Sequence, residues 1–210
     1  MRAYASVHQQ QAVSRRQDSG VGAGFLVRWV LTHSAAWAAL GVLLFGFEIG
    51  SDSLLGSMLG SAIAGLVLGL VQWPHVELHL IYARWWPLAS ALGALLGTLL
   101  GAGVGMLLQS LEWVASAAAV VVAAAVLGVA QWWILRQQVA RAGWWIVANA
   151  LGWGLGLLGG FIVVVLGFVL EPTLALPGGM FMGGAIGGAI AGAIGGTISG
   201  GVLLWLLRRQ

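Results

Sequence analysis

The chain has 210 residues, 60% of them hydrophobic and 7% charged, and its mean hydropathy is +0.97. A water-soluble domain carries about 25% charged residues, so this composition excludes one and predicts a multi-pass membrane protein. The net charge of +3 rests on nine arginines with no lysine; in so apolar a chain that excess is a topology signal and not a nucleic-acid footprint, and no nucleic-acid partner is expected.

Residues 1–26 open polar, rich in Gln and Ser, without the apolar run of a cleavable signal peptide; they read as a disordered arm. From there the apolar runs are long. A hydrocarbon layer of about 30 Å takes about 20 helical residues, which places spans at 27–47, 54–73, 86–108, 113–135, 144–170 and 178–207. The expected fold is all-α, a bundle of six transmembrane helices over 27–210. The joints are FEIGSDS, a polar and aromatic stretch after Trp73, QSLE, LRQQVARAG and EPTLALP.

An internal repeat underlies that count. RWVLTHSAAWAALG, RWWPLASALGALLG and GWWIVANALGWGLG align so that Trp29, Trp85 and Trp144 are followed by Gly41, Gly97 and Gly156 at one spacing. The first two copies close with Gln72-Trp73 and Gln131-Trp132, the third with Leu204-Trp205. Three tandem helical hairpins, at about 28–73, 84–132 and 143–205, are the organisation this predicts.

Arginine sets the orientation. The joints at 74–84, 133–143 and 206–210 carry Arg84, Arg136, Arg141, Arg208 and Arg209, whereas the opposite joints carry Glu48, Asp52, Glu112 and Glu171 and no arginine. By the positive-inside rule both termini face the cytoplasm.

Small residues four apart let helix backbones approach in lipid, where little hydrophobic drive exists between helices. Gly93, Gly97, Gly101 and Gly105 form one such stripe, Gly152, Gly156 and Gly160 a second, and Gly184, Gly188, Gly192, Gly196 and Gly200 a third, so all twelve are expected to pack helices, in the manner of a glycine zipper. Trp29, Trp73, Trp85, Trp86, Trp132, Trp133, Trp144, Trp145 and Trp205 lie at the span ends on the arginine side and are expected to form an interfacial belt, since an indole joins an apolar body to one N–H donor.

Candidate chemistry is sparse. His75 and His79 stand four apart and would share a helical face if the chain stays helical after Pro74, but two imidazoles make an incomplete metal site and the matching joint holds Ile134 and Gln138. A polar interfacial joint, with Glu77 paired to Arg136, is the favoured reading. His33 sits one turn into the first span, near enough to the interface to reach headgroups or a neighbouring carbonyl, and Asn149, similarly placed in the fifth, suits an interhelical hydrogen bond. No ionisable side chain falls in the middle of any predicted span, where coupled transporters, proton relays and intramembrane hydrolases keep theirs. No catalytic residue, metal or cofactor is therefore expected, and the chain is read as no enzyme.

The stretch from Gln131 to Gly156, QWWILRQQVARAGWWIVANALGWGLG, resembles a group of small uncharacterised multi-pass bacterial membrane proteins, in which a Gly-rich helix ends in Gln-Trp, an Arg-bearing turn follows, and Trp-Trp opens the next helix. Gln72 to Gly97 is similar except across Pro74 to His79. The resemblance implies a helical fold in the bacterial inner membrane and no substrate. The reading reached from sequence is a non-enzymatic membrane component that packs against itself or a larger complex. The alternative is a small channel or carrier for a neutral or lipophilic solute, lined by Ser57, Ser61, Thr98, Thr197 and Ser199.

Overall fold

A computed structural model describes residues 22–46, 53–174 and 179–209. Among them the chain forms six long helices: α1 (Ala23–Gly46), α2 (Leu54–Glu77), α3 (Trp86–Leu107), α4 (Glu112–Leu135), α5 (Trp144–Leu174) and α6 (Gly179–Leu207). Each contains a run apolar enough and long enough to cross a bilayer. The shortest, α3 with 22 residues, reaches about 33 Å at 1.5 Å per residue, enough for a hydrocarbon layer of about 30 Å. Helices are the form such a sequence must take, because lipid offers backbone N–H and C=O groups no other partner. The protein is thus an all-α, six-helix, membrane-spanning bundle.

Local sequence explains most of the boundaries. Ser53 caps α2, its hydroxyl accepting from the Gly56 N–H at 3.0 Å. Pro87 sits in the first turn of α3, where its missing N–H costs nothing. Glu112 opens α4, with its charge at the positive end of the helix dipole. Three predicted ends differ. Helix α1 starts at Ala23, so residues 23–26, expected to belong to the disordered arm, are helical. Helix α2 runs through Pro74 to Glu77: the proline has no N–H and leaves one carbonyl of the preceding turn without its helical donor, a local loss that does not end the helix. Helix α5 runs through Pro172 to Leu174, so most of the expected joint EPTLALP is helical. Residues 1–21 of the predicted arm, and Glu48 and Asp52 of the FEIGSDS joint, lie outside the described residues.

Each helix packs on its neighbours in sequence, and α1 returns to pack on α6, so the six close into a ring. The most extensive interface is between the first and last helices; α1 touches its expected hairpin partner α2 far less. Glycine explains the difference. A Cβ on Gly188 would run into the backbone of Trp37 and Ala38, one on Gly192 into His33 and Ser34, and one on Gly41 into the carbonyl of Gly184. Among the described residues, no glycine makes such a close approach between α1 and α2.

Candidate functional site: a buried polar ring

The nine tryptophans of the expected belt divide into three sets. Trp85, Trp133 and Trp144 are about half exposed, as an interfacial residue should be. Trp73, Trp132 and Trp205 lean against the core. Trp29, Trp86 and Trp145 are fully buried in the centre of the bundle. Trp145 meets the other two edge-on, at 6.2 Å from Trp29 and 5.6 Å from Trp86 between ring centroids. In two of the repeated segments the buried indole is therefore the residue after Trp85 or Trp144, the positions aligned by sequence with Trp29.

A buried indole N–H needs an acceptor, and all three have one. Trp86 donates to Gln72 Oε1 at 2.7 Å, Trp145 to Gln131 Oε1 at 2.9 Å, and Trp29 to Ser199 Oγ at 3.1 Å. The two glutamines stand fourteen residues before their indoles, across the turn that joins consecutive helices. The third bond spans 170 positions and ties α1 to α6.

One helical turn after each indole comes a second polar residue, bonded to the indole residue's own carbonyl: His33 Nδ1 to Trp29 at 2.9 Å, Ser90 Oγ to Trp86 at 2.8 Å, Asn149 Nδ2 to Trp145 at 3.0 Å. The glutamines cross-link these. Gln131 Nε2 donates to Ser90 Oγ at 2.9 Å and to Gln72 Oε1 at 3.3 Å, and Gln72 Nε2 lies 2.8 Å from His33 Nε2. Donor logic fixes the direction. An indole only donates, so Gln72 turns its oxygen to Trp86 and its amide nitrogen to His33; a carbonyl only accepts, so His33 carries its proton on Nδ1 and accepts at Nε2. His33, Gln72, Ser90, Gln131, Asn149 and Ser199 are all at least nine-tenths buried.

Above this tier, Trp37 and Trp153 meet edge-on at 4.7 Å between centroids. Between the two tiers is a cavity of about 10 Å³, bordered by His33, Gln72, Asn149 and Ser199 on its polar side. That is room for a single water. Of the residues expected to line a solute path only Ser199 borders it. Ser61 instead bonds the carbonyls of Met58 and Ala94, and Thr197 is exposed and bonds Ala193.

The three glycine stripes lie along contacts inside the bundle. A Cβ on Gly93, Gly97 or Gly101 would meet α4 at 2.6–2.9 Å, and one on Gly156 or Gly160 would meet α6 at 2.5–2.6 Å. Gly152 approaches α6 at 3.2 Å, and Gly196 and Gly200 face α1. Gly105 is looser, at 3.7 Å from Ala119. Gly184 contributes the backbone that meets Gly41.

His75 lies in the last turn of α2, and His79 falls past the helix end, in the turn that follows. Both meet Phe25 edge-on, at 6.4 and 5.9 Å. Burial holds the His79 imidazole below its ordinary pKa. Among the described residues no three His, Asp or Glu side chains are grouped as metal ligands. Arg136 lies over Trp133 at 3.7 Å and Trp132 at 4.9 Å, and no ion pair joins it to Glu77.

The polar ring was missed by sequence reasoning, although both Gln-Trp pairs and the positions of His33 and Asn149 were visible in it. Comparison with protein families, with curated proteins and with solved structures finds no match to this chain.

Proposed function

We propose that the protein is a non-enzymatic structural or assembly component of a bacterial inner membrane, with both termini cytoplasmic, built from three tandem helical hairpins whose glycine faces are used in its own packing. One observation carries this reading: the six buried polar side chains of the ring, His33, Gln72, Ser90, Gln131, Asn149 and Ser199, are all hydrogen-bonded within the bundle, and the cavity between the indole tiers has room for one water; the buried polar atoms left unpartnered, on Trp73, His75 and Gln138, lie outside that ring. A carrier or an enzyme needs interior space and uncommitted polar groups for a substrate. The surplus of arginine at the joints after Trp73 and Trp132 and at the C-terminus supports the orientation. The recurrence of a glutamine fourteen residues before a buried indole supports the repeat. With the glycine stripes turned inward, contact with a second copy or with a larger complex falls to the leucine-rich outer surface.

The test pairs two measurements on the full chain. In native-lipid particles extracted without detergent, the expected mass exceeds that of one 21.8 kDa chain plus its lipid. In proteoliposomes, efflux of neutral solutes such as glycerol and urea should match that of empty vesicles. A single chain per particle together with solute flux would overturn the proposal in favour of a small channel.

A further inference from the structure

At the arginine-bearing end of the bundle, the turn after α4 and the end of α6 border an open pocket of about 360 Å³ lined by Ala140, Arg141, Trp205, Leu206 and Arg209. It lies within the size range of small-ligand pockets. Its walls are chemically unequal. Leu206 is almost fully buried and belongs to the hydrophobic core. Trp205 is half-buried, and the Arg209 guanidinium lies over its ring at 4.7 Å. A stacked guanidinium is held flat by the ring and keeps its N–H edge free to donate in plane.

The second cation comes from another element in an unusual way. Arg141 has φ 59, the only positive φ at a non-glycine residue among those described. Left-handed backbone is disfavoured for a side chain of this kind, and such outliers gather at binding sites. Here it falls on a cation lining a pocket beside Arg209. Neither residue has a carboxylate partner among the described residues. Residues 136–143 and 204–210 contain four arginines and no acid.

We infer that Arg141 and Arg209 form a clamp for a phosphate diester, the headgroup of an anionic phospholipid. Three observations converge on that class. Two guanidinium groups offer the paired N–H geometry that a phosphate accepts. The pocket lies just beyond the ends of spanning helices, at headgroup depth, where basic pockets between helices take anionic lipids. Its apolar and indole walls suit the glycerol and first acyl carbons better than water. The inference does not rest on the proposed structural role and stands whether the protein is a scaffold or a channel.

The test uses native mass spectrometry of the full chain in neutral detergent, titrated with phosphatidylglycerol, phosphatidylcholine or inorganic phosphate. The wild type should retain phosphatidylglycerol in preference to phosphatidylcholine and should not retain inorganic phosphate. Arg141→Asn/Arg209→Gln should weaken retention roughly ten-fold or more, since each lost charge-assisted hydrogen bond is worth about one decade; asparagine is chosen because it tolerates the left-handed backbone. Arg84→Gln/Arg136→Gln removes the same charge at the same end and should retain the lipid. Equal loss in both double variants would reduce the effect to general attraction and overturn the clamp. Inorganic phosphate binding as tightly as the lipid would overturn the lipid assignment. Should the first double variant fail to fold, Arg209→Gln alone, at the end of α6, is read by the same criteria.

Discussion

Gln131 is buried and makes three hydrogen bonds: it accepts from Trp145 and donates to Ser90 and Gln72. Gln131→Leu keeps the approximate size but strands the Trp145 N–H, and an unsatisfied buried donor costs about 1–3 kcal/mol. Because polar groups inside membranes find alternative partners when a protein unfolds, the lower half of that range is expected. Gln137→Leu, which removes a bond from an exposed side chain to the Trp133 carbonyl, should cost less than about 0.5 kcal/mol. Equilibrium unfolding in mixed micelles measures both. His79 gives a pH signature. Burial lowers its pKa in the folded state, so the unfolded chain binds the proton more readily and stability falls as pH drops below about 6.5, the ordinary histidine value. Melting temperatures between pH 7.5 and 5.5 should therefore decline less for His79→Gln than for the wild type. The sequence displayed these residues without showing their direction. Trp85-Trp86 and Trp144-Trp145 are adjacent pairs, and neighbours on a helix point about 100° apart. One indole of each pair faces the headgroups and the other the bundle centre, and both settings suit the same side chain.

Glycine decides which helices touch. Gly192 and Gly103 are both helical glycines in spans, and composition alone treats them alike. A Cβ on Gly192 would meet the carbonyl of His33 at 2.5 Å and the Cα of Ser34 at 2.8 Å, whereas nothing lies within 4 Å of one on Gly103. Gly192→Leu should therefore separate α6 from α1 at a cost of at least about 2 kcal/mol, in line with overpacking of a tight interface. Gly103→Leu should change stability by no more than about 0.5 kcal/mol. A shared detergent-unfolding series checks the pair, and equal sensitivity would mean that α6 does not lie on α1 as described. The small-residue stripes were legible because their spacing follows the helix turn. Their partners were not, because lipid-facing and protein-facing residues are both apolar in a membrane helix, and the hydrophobic periodicity that orients a helix in water is lost. The length of α5 was misjudged for a related reason: Pro172 reads as a stop in a soluble helix, yet a spanning helix can carry a proline through.

At the scale of the whole molecule, the number of helices and their membrane character followed from length and hydropathy, because bilayer thickness imposes a fixed span on the chain. Closure between the first and last helices did not follow. No local signal marks a pairing across 170 positions, and the repeat suggested that each helix would favour its hairpin partner. The interior hydrogen bonds supply the reason for closure. The Trp29 indole finds its acceptor, Ser199, only on α6, and His33 meets Gln72 only if α1 completes the ring beside α2. Since the chain contains no cysteine, introduced thiols report this arrangement without background. A Cβ at Gly196 lies 3.3 Å from the Cα of Val30, within disulfide reach once Val30 is also cysteine. Oxidation of Val30→Cys/Gly196→Cys in native membranes should produce an intramolecular disulfide between α1 and α6, while Val30→Cys/Gly103→Cys should produce none. Failure of the first pair to cross-link in folded protein, with both thiols still alkylated after denaturation, would contradict the closed ring.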